Sequence, residues 1–107
     1  MTCEEIYGKL STLDIPVAYS HFGKPPSVPF VVYITSGGER YGADYKNMLE
    51  RRTVRIELYT DKKDETLENS VAALFDMYEL DIYESYIENQ SLYQVVFEFT
   101  DLFKTGG

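Results

Sequence analysis

The sequence predicts an α+β domain: helix, three strands, helix, two strands, with a mostly antiparallel or mixed sheet and the helices packed on it. Three observations lead there. Apolar residues recur at helical spacing in two stretches, Ile6, Leu10, Leu13 and Leu67, Val71, Leu74, Phe75, Tyr78. Other stretches alternate at the strand period, most cleanly Val54, Ile56 and Leu58 against Thr53, Arg55, Glu57 and Tyr59. Finally, a chain of 107 residues with 44% apolar and 15% aromatic side chains suits one core, so residues 1–107 read as a single domain.

The first helix starts at a capping box, Thr2 followed three residues later by Glu5, and Pro16 ends it. Gly8 inside it costs about 1 kcal/mol relative to Ala, which suggests close packing or dependence on tertiary contacts. Residues Pro16 to Phe22 read as a short strand, after which Gly23, Pro25, Pro26 and Pro29 prevent a ladder. Phe30 to Ser36 is apolar on both faces and is expected at the centre of the sheet. Thr53 to Thr60 is a half-buried strand. The intervening Gly37 to Arg52 is far longer than a hairpin loop and is expected to be a mobile, functional segment. Asp64 caps the second helix, Asp81 to Glu88 and Ser91 to Phe99 are the last two strands, and Asn89 and Gln90 turn between them.

Composition removes several function classes. The apolar content is too high for disorder, and the longest apolar run, Phe30 to Ile34, is too short for a bilayer-spanning helix. Residues 1–15 carry Glu4, Glu5, Lys9 and Asp14 where a secretory signal needs a basic start and an apolar stretch, so an intracellular protein is expected. The formal charge of -8 argues against wrapping nucleic acid, and no membrane partner is expected. Cys3 has no second cysteine, and no sequence rule places His21 or Ser20 near it. Gly37, Gly38 and Gly42 lack the spacing of a phosphate-binding loop. The carboxylate pairs have plain readings as helix starts or solvated strand faces. No catalytic residue, cofactor or metal site is expected, and the chain reads as non-enzymatic.

Charge and tyrosine carry the positive signal. Residues 1–60 balance seven acids with seven bases, whereas residues 61–107 hold eleven acids against Lys62, Lys63 and Lys104. Arg40, Arg51, Arg52 and Arg55 lie close together in the neutral half. Opposite fields on one domain favour head-to-tail contact between copies, although a solvated acidic surface explains the same charge. Of ten tyrosines, Tyr33, Tyr41, Tyr45 and Tyr59 are expected to point outward, and Tyr with Arg is enriched in interface cores. The candidate interface is therefore Arg40, Tyr41, Tyr45, Arg51, Arg52, Arg55 and Tyr59, with the arginines facing acids of a neighbour.

Arg55 to Asp64 (RIELYTDKKD), an acidic helix, and Tyr86 to Glu98 (YIENQSLYQVVFE) together resemble a small prophage protein family. The similarity spans about Phe30 to Phe99 and includes Gly42, Ala43 and Asp44. That family is in turn similar to the tail terminator, or tail completion, proteins of long-tailed phages. The resemblance implies a structural protein without an active site that self-associates into a hexameric ring, caps the tail tube and offers the head connector its binding surface. It implies a place in the host cytoplasm during assembly and in the virion tail thereafter. The alternative is a small intracellular protein–protein interaction domain of the same fold without phage context.

Overall fold

The computed structural model describes residues 1–41 and 48–105, with side chains at 1–40 and 49–103. Its elements are α1 (Cys3–Ser11), β1 (Val17–Tyr19), β2 (Phe30–Ser36), β3 (Arg40–Tyr41), β4 (Met48–Thr60), α2 (Glu65–Leu74), β5 (Asp81–Ile87) and β6 (Leu92–Thr105). A 3₁₀ turn over Glu88–Gln90 joins the last two. The strands form one mixed sheet in the order β1-β2-β4-β6-β5, and the two-residue β3 also pairs with β4. Only the β1–β2 pair is parallel among the described strands. The α+β class and the element order agree with the sequence reading, β3 being the addition.

Both helices start where their caps place them. The Glu5 amide donates to Thr2 Oγ1 at 3.2 Å, and the Leu67 amide donates to Asp64 Oδ1 at 3.0 Å. Each satisfies a backbone donor that lacks an intrahelical partner. Ile6 and Leu10 of α1 and Val71 of α2, with Phe75 just beyond it, then bury completely against one face of the sheet. That face presents Val31 and Tyr33 from β2, Val54, Ile56 and Leu58 from β4, and Val95, Phe97, Phe99 and Phe103 from β6. Tyr78 stacks on Phe99 at 4.3 Å between ring centroids and donates to Asp101 Oδ2 at 2.6 Å. Burial and the Asp101 carboxylate push the Tyr78 phenol up to about 12.

Several expectations are corrected. The first strand is confined to Val17–Tyr19 rather than Pro16 to Phe22. Tyr33 does not point outward. It is 6% exposed, shares the helix-covered face with Val31, and meets Tyr19 edge-on at 5.2 Å. Burial raises its phenol pKa. With both faces of β2 apolar, nothing local marks which aromatic lies under a helix. Gly8 is not closely packed, since a Cβ there would meet nothing within 4 Å.

The largest correction concerns Gly37 to Arg52, read as one long loop. β4 begins at Met48, so Arg51 and Arg52 are strand residues, and β3 lies within the same stretch. Thirteen residue pairs join β4 to β6, from Met48↔Thr105 to Thr60↔Tyr93. The last strand accordingly runs six residues past Phe99, to Thr105. The mobility expected of Gly37 to Arg52 includes residues 42–47, which lie outside the described residues.

Two glycines give opposite expectations. Gly8→Ala should raise stability by about 0.5–1 kcal/mol, because it gains helix propensity in open space. Gly38→Ala should lower stability, because its Cβ would fall 2.5 Å from the Arg51 carbonyl oxygen. Paired thermal melts of the two variants check both signs.

Candidate assembly interface

Strand parity divides the expected interface residues between the two faces of the sheet. Arg52 follows Val54, Ile56 and Leu58 onto the helix side, whereas Arg51, Arg55 and Tyr59 point to the open side. The single patch suggested by sequence proximity is therefore two patches.

The helix-side patch is built on Glu50, which is 5% exposed. A carboxylate so enclosed is stable only with charged or hydrogen-bonding partners. Arg40 Nε donates to its Oε2 at 2.7 Å and Arg52 Nε to its Oε1 at 2.6 Å. Pairing of Arg40 with Glu50 across β3 and β4 brings the first of these together. The Arg52 guanidinium also lies over the Phe103 ring, 5.1 Å from its centroid, a cation–π contact that anchors it to the core. The Arg52 hydrogen bond, followed by that of Arg40, holds the Glu50 carboxyl below its ordinary pKa of 4.5.

The open-face patch is a chain of polar contacts. Gln94 Nε2 donates to Tyr59 Oη at 2.8 Å, Tyr59 Oη donates to Glu57 Oε1 at 2.9 Å, and Arg55 Nε donates to Glu57 Oε2 at 2.7 Å. Arg55 Nη1 also lies 3.9 Å from Glu98 on β6. Burial, followed by the bond to Glu57, raises the Tyr59 pKa. Tyr59 stacks on Phe30 at 5.0 Å, and Phe22 meets Phe30 edge-on at 5.4 Å. The segment between β1 and β2 thus folds over this end of the open face. It leaves a groove of about 530 Å³, with Phe30, Val32, Glu57 and Tyr59 against Pro25, Pro26 and Leu92. In the sequence Pro25 and Pro26 mark only the end of a strand, and the groove exists only once the fold brings them over Phe30 and Tyr59.

Arg40, Arg52 and Arg55 are thus engaged by acids of their own chain, whereas the sequence reading aimed them at a neighbour. Reversing Arg52 would set a second carboxylate beside Glu50. The Tyr41 backbone pairs with Leu49, while its side chain and the whole of Tyr45 lie outside the described residues. Cys3 is half-buried, and His21 Nδ1 lies 3.2 Å from Ser20 Oγ on the exposed surface. Among the described residues no group of three or more His, Cys, Asp and Glu side chains is placed to hold a metal, and no helix is long and apolar enough to cross a membrane. The arrangement offers contact surfaces: a charged ribbon end and an apolar groove.

A one-sheet α+β domain with both helices on one side and a long two-stranded ribbon defines the fold class. A similar fold occurs in the solved virion of a native gene transfer agent (GTA) particle, with a TM-score of 0.54 and 15% identity over 94% of this chain and 92% of that chain. No protein-family model matches the sequence, and no curated protein matches it.

Glu50 makes stability depend on acid. Its folded pKa lies below the unfolded value, so its contribution is fully present above about pH 4.5 and is lost as the pH falls through the depressed folded value. Denaturant melts across this range should show the loss in the parent chain and a smaller pH dependence in Glu50→Gln, which should be less stable at neutral pH.

Proposed function

We propose that this chain is a non-enzymatic structural subunit of a phage-type virion, which caps the tail tube as a ring and joins it to the head connector. The observation that carries the reading is the fold, similar over nearly its whole length to a chain from a gene transfer agent virion. The resemblance of Arg55 to Asp64 and Tyr86 to Glu98 to tail terminator relatives supplies the finer assignment, including a hexameric ring. The chain assembles in the host cytoplasm and resides in the virion tail.

Within this reading, the end of the β4–β6 ribbon is the surface offered to the tail tube or connector. It carries Arg51, with Leu49 and Leu102 exposed beside it on the open face. Arg40 and Arg52 shape the same end through Glu50, while Arg55 and Tyr59 stiffen the open face behind it.

Electron microscopy of tails made without this chain should show tubes of irregular length that do not join heads. Tails of uniform length joined to heads would refute the assignment. Reversal at two neighbouring arginines tests the surface and its support. Arg51→Glu should impair tail completion. Arg52→Glu should lower the melting temperature, because it removes a partner of Glu50 and adds like charge.

A further inference from the structure

The strand path β1-β2-β4-β6-β5 ends in two edge strands, β1 and β5, and they differ in character. β5 is seven residues long, and six of them are exposed. Ile82, Tyr83 and Tyr86 are each about half exposed. Soluble proteins commonly guard such an edge with Pro or Lys, and β5 contains neither. Its central acid is neutralised from the side: Lys63 Nζ lies 2.8 Å from Glu84 and 2.8 Å from Glu68 of α2. Ile82 and Tyr86 therefore flank a paired charge on the helix side of the edge.

The β1 edge is short and hollow. Asp14, in the left-handed region at φ 59°, turns the chain from α1 towards β1. A groove of about 490 Å³ opens there, lined by Tyr7, Asp14, Ile15, Val17 and Phe22 among others. Tyr7 and Tyr19 are exposed beside it. Of eight large apolar side chains exposed among the described residues, four lie on these two edge strands, and Tyr7 of α1 stands beside β1.

We infer that β5 of one copy docks on the β1 edge of the next, with its helix-side residues Ile82 and Tyr86 over the β1–α1 groove. Strand direction supports a second copy as the occupant. β1 and β2 run together, and each later neighbour reverses, so β5 runs opposite to β1. Copies related by rotation about an axis along the strands therefore present these edges antiparallel, the slightly more stable pairing. The same rotation keeps the helices of both copies on one side, which places Ile82 and Tyr86 beside Tyr7 and Val17. The groove also offers the Asp14 carboxylate to a tyrosine hydroxyl. Because the two edges differ, the contact is heterologous, the kind that closes into rings. The inference rests on the ring reading in taking identical copies as neighbours.

The test uses the full chain with Cys3→Ala as background. One preparation carries Ala18→Cys and another Ser85→Cys, mid-strand positions that both face the open side. At high protein concentration, a short bis-maleimide linker should join the mixture about tenfold more than it joins either variant to itself. Equal self-linking, or no linked product, would overturn the inference. Adding Ile82→Lys with Tyr86→Lys should abolish the mixed product while the circular dichroism spectrum remains that of the folded chain. Persistence of the product in that variant would also overturn it. Tail assembly separates the two readings. Normal termination by the double-lysine variant refutes the edge contact and leaves the virion role standing, whereas tails indifferent to the whole chain refute the virion role even if the edges link.

Discussion

The antiparallel pairing of β4 with β6 is the constraint on which the rest of the structure depends. It fixes parity over thirteen residue pairs, so that Val54, Ile56 and Leu58 face the helices together with Val95, Phe97 and Phe99. Each other strand attaches to one member of this ribbon or to a strand already attached to it. A one-residue slip of β4 against β6 would turn Val54, Ile56 and Leu58 to the open face and bring Arg55 and Glu57 beneath the helices. The cost of burying those charges makes the register effectively unique.

The ribbon also settles the fate of the charges it carries. Towards Met48 and Thr105 it extends the sheet into a body 50 Å long and 29 by 25 Å across. Where helix cover thins, polar side chains occupy inward positions. Glu50 takes one of them because Arg40 and Arg52 occupy both its oxygens, and Phe103 supports the Arg52 guanidinium. On the opposite face, Arg55, Glu57, Tyr59 and Gln94 tie β4 to β6 by side-chain contacts as well as by the ladder. An arginine-rich segment that suggests a surface for others is thus, in part, bound by its own chain.

What was legible in the sequence was local. Thr2 and Asp64 announce their helices, and the alternation from Thr53 to Thr60 announces its strand, because a few neighbouring residues determine each outcome. The pairing of Glu50 with Arg40 was not legible, since ten residues separate them and only the β3–β4 pairing closes the distance. Arg51 and Arg52 escaped recognition as strand residues because charge at consecutive positions erases the apolar alternation. Tyr33 was misplaced because the same alternation is lost when both faces are apolar. Of the seven residues expected at an interface, the structure gathers Arg40 with Arg52 and Arg55 with Tyr59, on opposite faces, a division set by strand parity rather than by nearness in sequence.

The position of β6 has a consequence for the order in which the molecule can fold. β6, Leu92–Thr105, follows β4 and β5 in the chain yet lies between them in the sheet and bridges them. While a ribosome is still extending the chain, β5 has no partner strand, and the apolar face of β4 lacks its neighbours Val95, Phe97 and Phe99. The core therefore closes only after synthesis has passed Phe103, through pairings such as Met48↔Thr105 that span more than half the sequence. Until then the emerged segments expose apolar strands liable to aggregate, so the yield of native protein depends on how quickly translation delivers β6.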